Sequence, residues 1–116
     1  MKRIIDLQAR ISAFTATRSW HQFHSPKNLS MALTVEAAEL QEHFQWLTEE
    51  QSTNLPEDKR QAVAAEMADV FIYLLRLADV LDVDLLQAAE LKMEENARKY
   101  PVEKAKGNAT KYTDFD

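Results

Sequence analysis

Residues 57–81, EDKRQAVAAEMADVFIYLLRLADVL, decide the fold. Val63, Met67, Val70, Leu74, Leu77 and Leu81 recur at alternating intervals of four and three, the spacing of a helix seam packed on another helix. A second stripe runs beside it: Glu66, Asp69, Tyr73 and Arg76. Phe71, Ile72, Leu75 and Ala78 cover much of the remaining surface, so this helix is expected to be buried on most faces. One small four-helix domain rarely supplies that much cover. Packing between subunits is therefore expected on this helix.

Working outward, the near-absence of glycine and the prolines at 26, 56 and 101 divide the chain into long helical pieces. Upstream, Ile4, Leu7, Ile11 and Phe14 predict a first helix from about Ile4 to Thr17. A loop from Arg18 to Ser25 holds Trp20, His21, Phe23 and His24. Ser25-Pro26 reads as an N-cap followed by Pro at the first helical position, opening a second helix that runs to about Thr48. Glu49 to Leu55 is polar, ends at Pro56 and reads as a loop. Downstream, Asp84 reads as the N-cap of a fourth helix ending near Tyr100, with Gln87 completing a partial capping box. The expected architecture is all-α, a four-helix bundle assembled into a homo-oligomer. Residues 1–100 form the domain, and 101–116 form a polar tail that is flexible or docked on a neighbouring subunit.

Two pairs of acids break the apolar pattern. Glu36-x-x-Glu39 lies in the second helix and Glu66-x-x-Asp69 in the third. Three residues advance about 60° around a helix, so each pair leaves from one face. Glu36 occupies a stripe position, between Leu33 and Leu40, where an apolar residue is expected, and such a violation is where function concentrates. Carboxylates beside a core are costly unless a cation or donor meets them. All-oxygen donors suit hard divalent cations, Mg²⁺ or alternatively Mn²⁺. The competing reading is solvated surface charge, since i, i+3 acids are common on helices. A di-iron site is disfavoured, because neither His21, His24 nor His43 follows a Glu at the Glu-x-x-His spacing.

Composition narrows the partners. The 116 residues suit one domain, with 46% hydrophobic and 28% charged residues. The net charge of −5 argues against binding to polymeric nucleic acid. The lone Gly107 leaves no glycine-rich phosphate loop, so a phosphate ligand would be held through metal. The lack of cysteine excludes disulfides and thiolate metal sites and suits a cytoplasmic protein. The amphipathic start MKRIIDLQAR is no signal peptide, and the apolar run Val70 to Leu75 is too short to span a membrane.

Other residues fit a nucleotide. Tyr73 stands one turn after Asp69, and Trp46 two turns after Glu39. Trp20 and His24 lie in the preceding loop, and aromatic rings of this kind can sandwich a base. On periodicity alone Trp46 and Tyr73 read rather as core or interface aromatics. Lys92 and Asn96, one turn apart on the fourth helix, could meet phosphates, or could be a snorkelling lysine and a polar helix-end residue. His43 reads as packing or as a support to the acids, and His21 as solvent-exposed.

EAAELQEHFQW (36–46), EMADVFIYLLRLADVLDVDLLQA (66–88) and KMEENARKYP (92–101) together resemble the MazG-like all-α nucleoside triphosphate pyrophosphohydrolases. RSWHQFHSPKNL (18–29) is similar to the short, single-domain dCTP pyrophosphatase-type branch. The resemblance runs from about Ile5 to Tyr112, and the acid pairs followed by Lys92, Asn96, Tyr100 and Pro101 are its specific part. It implies Mg²⁺-dependent cleavage of a deoxynucleoside triphosphate, dCTP or modified dCTP favoured, to the monophosphate and pyrophosphate, in nucleotide-pool house-cleaning. It implies Glu36, Glu39, Glu66 and Asp69 as metal ligands and catalytic residues, with Glu36 chosen as the base. It places Trp20, His24, Trp46 and Tyr73 around the base and Lys92 and Asn96 near the phosphates. It further implies a homotetramer built as a dimer of dimers, and a tail, KAKGNATKYTDF, that closes over the site. The competing functions are a non-catalytic nucleotide- and metal-binding regulatory module, or a related hydrolase acting on dUTP or a phosphoribosyl-nucleotide.

Overall fold

The structure, a computed structural model, describes residues 3–115; the outermost positions of the expected domain and tail, 1, 2 and 116, lie outside them. The described residues are helical, with no strand among them. The helices are α1 (Ile4–Thr17), α2 (Pro26–Glu42), α3 (Glu49–Ser52), α4 (Glu57–Val80), α5 (Leu85–Lys99) and α6 (Val102–Ala105). Single 3₁₀ turns lie at His21–Phe23 and Tyr112–Asp114. The chain divides into two compact units, with the boundary in sequence between Val83 and Asp84.

In the first unit, α2 lies along α4 and α1 packs on α4. Leu29, Val63, Leu75 and Ala78 are its buried apolar residues. Thr15 is buried beside them because its hydroxyl donates to the Ile11 carbonyl at 2.8 Å. Gln8 Nε2 donates to the Leu75 carbonyl at 3.1 Å and fastens α1 to α4.

The helix ends follow local chemistry. Ser25 accepts from the Asn28 amide, with Pro26 in the first turn of α2. α1 and α4 both end in Schellman motifs without glycine. Ser19 and Asp82 each take φ 55°. Trp20 N–H reaches the Thr15 carbonyl at 3.0 Å, and Val83 N–H reaches the Ala78 carbonyl at 2.8 Å.

Three expectations need correction. α2 stops at Glu42, not near Thr48. No glycine or proline breaks it; the chain tightens instead into three-residue turns, with His43 N–H on the Leu40 carbonyl, Phe44 N–H on the Gln41 carbonyl and Leu47 N–H on the Phe44 carbonyl. The segment read as a loop contains α3, nucleated by a capping box in which the Thr48 side chain accepts from the Gln51 amide and the Gln51 side chain from the Thr48 amide. Within the single chain α4 is also less covered than its pattern suggests, with Met67, Phe71 and Ile72 exposed.

In the second unit, Asp84 caps α5 by accepting from the Gln87 amide at 3.0 Å. The segment after Pro101 turns back at Gly107 (φ 79°). Tyr112 and Phe115 then meet the Tyr100 ring edge-on, at 5.9 and 5.7 Å between centroids. Lys99 lies 4.7 Å over the Tyr112 ring.

Candidate metal and substrate site

The helical phase of the two acid pairs turns them toward each other because α2 and α4 are the helices packed together. One carboxylate oxygen from each of Glu36, Glu39 and Glu66 lies within 4.8 Å of the others. Asp69 is exposed and outside that trio, although its charge is felt at Glu36. Burial pushes the Glu36 carboxyl up from 4.5 to about 7; a hydrogen bond shared with Glu39 and the charges of Glu39, Asp69 and Glu66 push it the same way.

Oε2 of Glu36 and Oε2 of Glu66 are buried with no hydrogen-bond partner. Each is an acceptor taken from water without a donor in exchange, which costs about 1–3 kcal/mol or more for a charged group. A hard divalent cation fits this donor set: oxygen only, several charges, two acceptors otherwise unsatisfied. His43, in the turn after α2, brings Nε2 to 4.0 Å from Glu66 Oε1. The imidazole is thus close enough to bear on the orientation of that carboxylate.

The other expected residues are distributed unevenly. Tyr73 is half-buried on α4, one turn beyond Asp69. Trp20 is 45% exposed and meets the Phe14 ring edge-on at 5.8 Å. Trp46 lies in the tight turns after α2 and is 88% exposed. Lys92 and Asn96 are on α5, in the second unit. Lys92 Nζ is 3.4 Å from Glu95 Oε2 in a solvent-exposed pair, an interaction weak enough for the amine to leave for a phosphate. Glu95 also holds Lys99 at 2.7 Å, and the two lysines keep its carboxyl below the usual carboxylate range. A concavity of about 620 Å³ beside α3, lined by Leu47, Gln51, Leu55 and Pro56 among others, includes none of the four acids.

One group was not legible as a site residue. Arg76 is only 7% exposed. Its Nε donates to His24 Nδ1 at 3.2 Å and its Nη2 lies 2.6 Å from His21 Nδ1. Its position one turn past Tyr73, on the same stripe as the acids, was the available signal.

An all-α protein with convergent carboxylates on two packed helices is thereby defined. The chain belongs to the MazG-like family, whose signature matches residues 31–115. It is 45% identical over 112 residues to dCTP pyrophosphatase 1 of Mus musculus and 40% identical over 112 residues to that of Homo sapiens. Each alignment covers 95% of this chain and 66% of the mammalian protein. Among solved structures, a pyrophosphatase from Archaeoglobus fulgidus superposes with a TM-score of 0.82 at 38% identity, covering 87% of this chain and 94% of that one.

Proposed function

We propose that this protein is a nucleoside triphosphate pyrophosphohydrolase that converts a deoxynucleoside triphosphate, dCTP or a modified dCTP favoured, to the monophosphate and pyrophosphate. The observation that carries the reading is the carboxylate trio with its two unsatisfied buried oxygens, found in a chain so similar to dCTP pyrophosphatases. Glu36, Glu39, Glu66 and Asp69 hold the metal, Mg²⁺ or alternatively Mn²⁺. Bound there, a divalent cation supplies neutralisation of triphosphate charge and acidification of water. Burial first, then the hydrogen bond with Glu39 and the charges of Glu39, Asp69 and Glu66, raise the proton affinity of Glu36, and those same charges draw a cation. Glu36 is assigned as the base that takes a proton from the water attacking the α phosphorus. Trp20, His24, Trp46 and Tyr73 receive the base, and Lys92 and Asn96 the phosphates.

The working form is a homotetramer of four-helix protomers arranged as a dimer of dimers. Support comes from the apolar side chains left exposed on single helices: Met67, Phe71 and Ile72 on α4, and Leu86, Leu91 and Met93 on α5. Residues 1–100 carry the catalytic domain and 101–116 an accessory tail.

Incubation with each dNTP, dUTP and a phosphoribosyl-nucleotide in Mg²⁺, followed by ³¹P NMR of the products, tests the activity. Pyrophosphate and a monophosphate from dCTP are expected. Orthophosphate and a diphosphate would exclude the bond assignment. Tight nucleotide binding without any product would favour a regulatory module. Light scattering on the purified protein reads the subunit number.

A further inference from the structure

The contacts of Arg76 constrain chemistry beyond its own burial. A guanidinium has five N–H donors and no acceptor. Nδ1 of His24 therefore accepts from Arg76 Nε at 3.2 Å, and Nδ1 of His21 must accept from Nη2 at 2.6 Å. A neutral imidazole that accepts at Nδ1 carries its proton at Nε2. Protonating either ring would set an Nδ1–H against the guanidinium N–H, charge against charge. Burial, then the charge of Arg76, then His21, hold the His24 imidazole below its ordinary value, in the same direction. Asp79 Oδ2, 3.6 Å from Nη1, is the acid that meets Arg76 on α4. Neither Nε2 has a hydrogen-bond partner among the described residues.

We propose that Arg76 is a positioning residue that locks His21 and His24 in one tautomer, with the proton on Nε2. The loop after α1 then presents fixed, uncharged N–H donors to an acceptor on the substrate base, a carbonyl oxygen or an unprotonated ring nitrogen. The lock spans 52 residues of sequence between His24 and Arg76. It sets the orientation of the His21–Phe23 turn as well as the ring chemistry. The substrate-facing half of the inference rests on the proposed function, whereas the tautomer does not.

The test is a long-range ¹H–¹⁵N correlation spectrum of the full chain labelled with [¹⁵N]histidine at pH 8, assigned with His21→Gln and His24→Gln. Both rings are expected to show a protonated Nε2 and an unprotonated Nδ1. In Arg76→Met both are expected to relax to tautomer mixtures, while His43, which does not touch Arg76, stays unchanged. In the same variant the KM for dCTP is expected to rise about tenfold, as for one lost hydrogen bond, with kcat changed less. Arg76→Lys, which can serve one ring at a time, falls between and substitutes if the Met variant does not fold by circular dichroism. A proton on Nδ1 of either ring in the wild type overturns the proposal. So does a variant in which the tautomers or the KM are unmoved. Wild-type protein that shows the expected tautomers but turns over no dNTP would instead sink the proposed activity.

Discussion

Replacing Glu36 by Gln is expected to stabilise the metal-free protein at alkaline pH while abolishing its response to metal. The folded chain holds the Glu36 proton up to about pH 7, against 4.5 ordinarily. Below pH 4.5 the carboxyl is protonated in both states and its contribution to stability is fully present. As pH rises toward 7 the unfolded chain releases the proton first, so stability falls; above 7 the loss is complete. At about 1.4 kcal/mol per tenfold change in proton affinity, the interval corresponds to at most about 3 kcal/mol. Glu36 is only partly covered, so screening by water reduces the figure to about 1–2 kcal/mol. Gln keeps the shape of the protonated acid and removes the charge. In EDTA at pH 8 and fixed protein concentration, Glu36→Gln should melt about 4–8 °C above wild type, and at pH 5 nearly with it. Mg²⁺ should then raise the wild-type midpoint at pH 8 and leave the variant unmoved. Calorimetry across pH 5–8 reads all of this. A gap between variant and wild type that does not depend on pH, or a variant less stable at pH 8, would refute the account of a buried acid among like charges.

Four further outcomes follow from the geometry. Glu66→Gln should eliminate the rise in Tm with Mg²⁺ or Mn²⁺, read by scanning calorimetry, and His43→Ala, which removes the imidazole 4.0 Å from Glu66, should weaken divalent-ion affinity about tenfold, read by isothermal titration calorimetry. Trp46→Ala should change stability by no more than about 0.5 kcal/mol, because the ring is 88% exposed, yet raise the KM for dCTP in steady-state assays; a large fall in Tm would return Trp46 to a packing role. Ser19→Gly should stabilise by about 1 kcal/mol in urea titrations, since the left-handed backbone at φ 55° carries a side-chain penalty that Gly lacks.

The long helices were legible because their signals are local: the seam from Val63 to Leu81, the Ser25-Pro26 start, the Asp84 cap. The convergence of Glu36, Glu39 and Glu66 was legible for the same reason, since Glu36 occupies a position its own helix reserves for an apolar residue. The end of α2 was not. Nothing at His43 to Leu47 forbids a helix, and the chain leaves it by tightening its turns. The phase that aligned Trp46 with Glu39 assumed a helix that has already ended, so the exposure of Trp46 could not be read. The capping box at Thr48 and Gln51 was present in the sequence and sufficed to mark α3. Arg76 could be placed on its stripe, but its partners come from a loop some fifty residues away, and only tertiary packing brings them together.

On α4 the two chemical environments are arranged in series. Asp69 and Arg76 are seven residues apart, two turns on one face, or about 10 Å along the axis. At one end burial, and then the neighbouring carboxylates, leave Glu36 holding a proton to about pH 7. At the other a buried guanidinium is engaged by two imidazoles and an aspartate. A triphosphate gains nothing by approaching bare carboxylates, so in the proposed reaction the affinity for phosphate must depend on divalent cation. In the proposed arrangement the histidine end carries no such requirement: its offered groups are neutral N–H donors, indifferent to the charge of the ligand and sensitive to the positions of its acceptors. In the proposed reaction, anchoring the acids Glu66 and Asp69 and the histidine-holding Arg76 on one helix separates the cation dependence of nucleotide binding from the choice of base. Substitutions at Glu66 and at Arg76 are therefore expected to act on different properties of the same substrate.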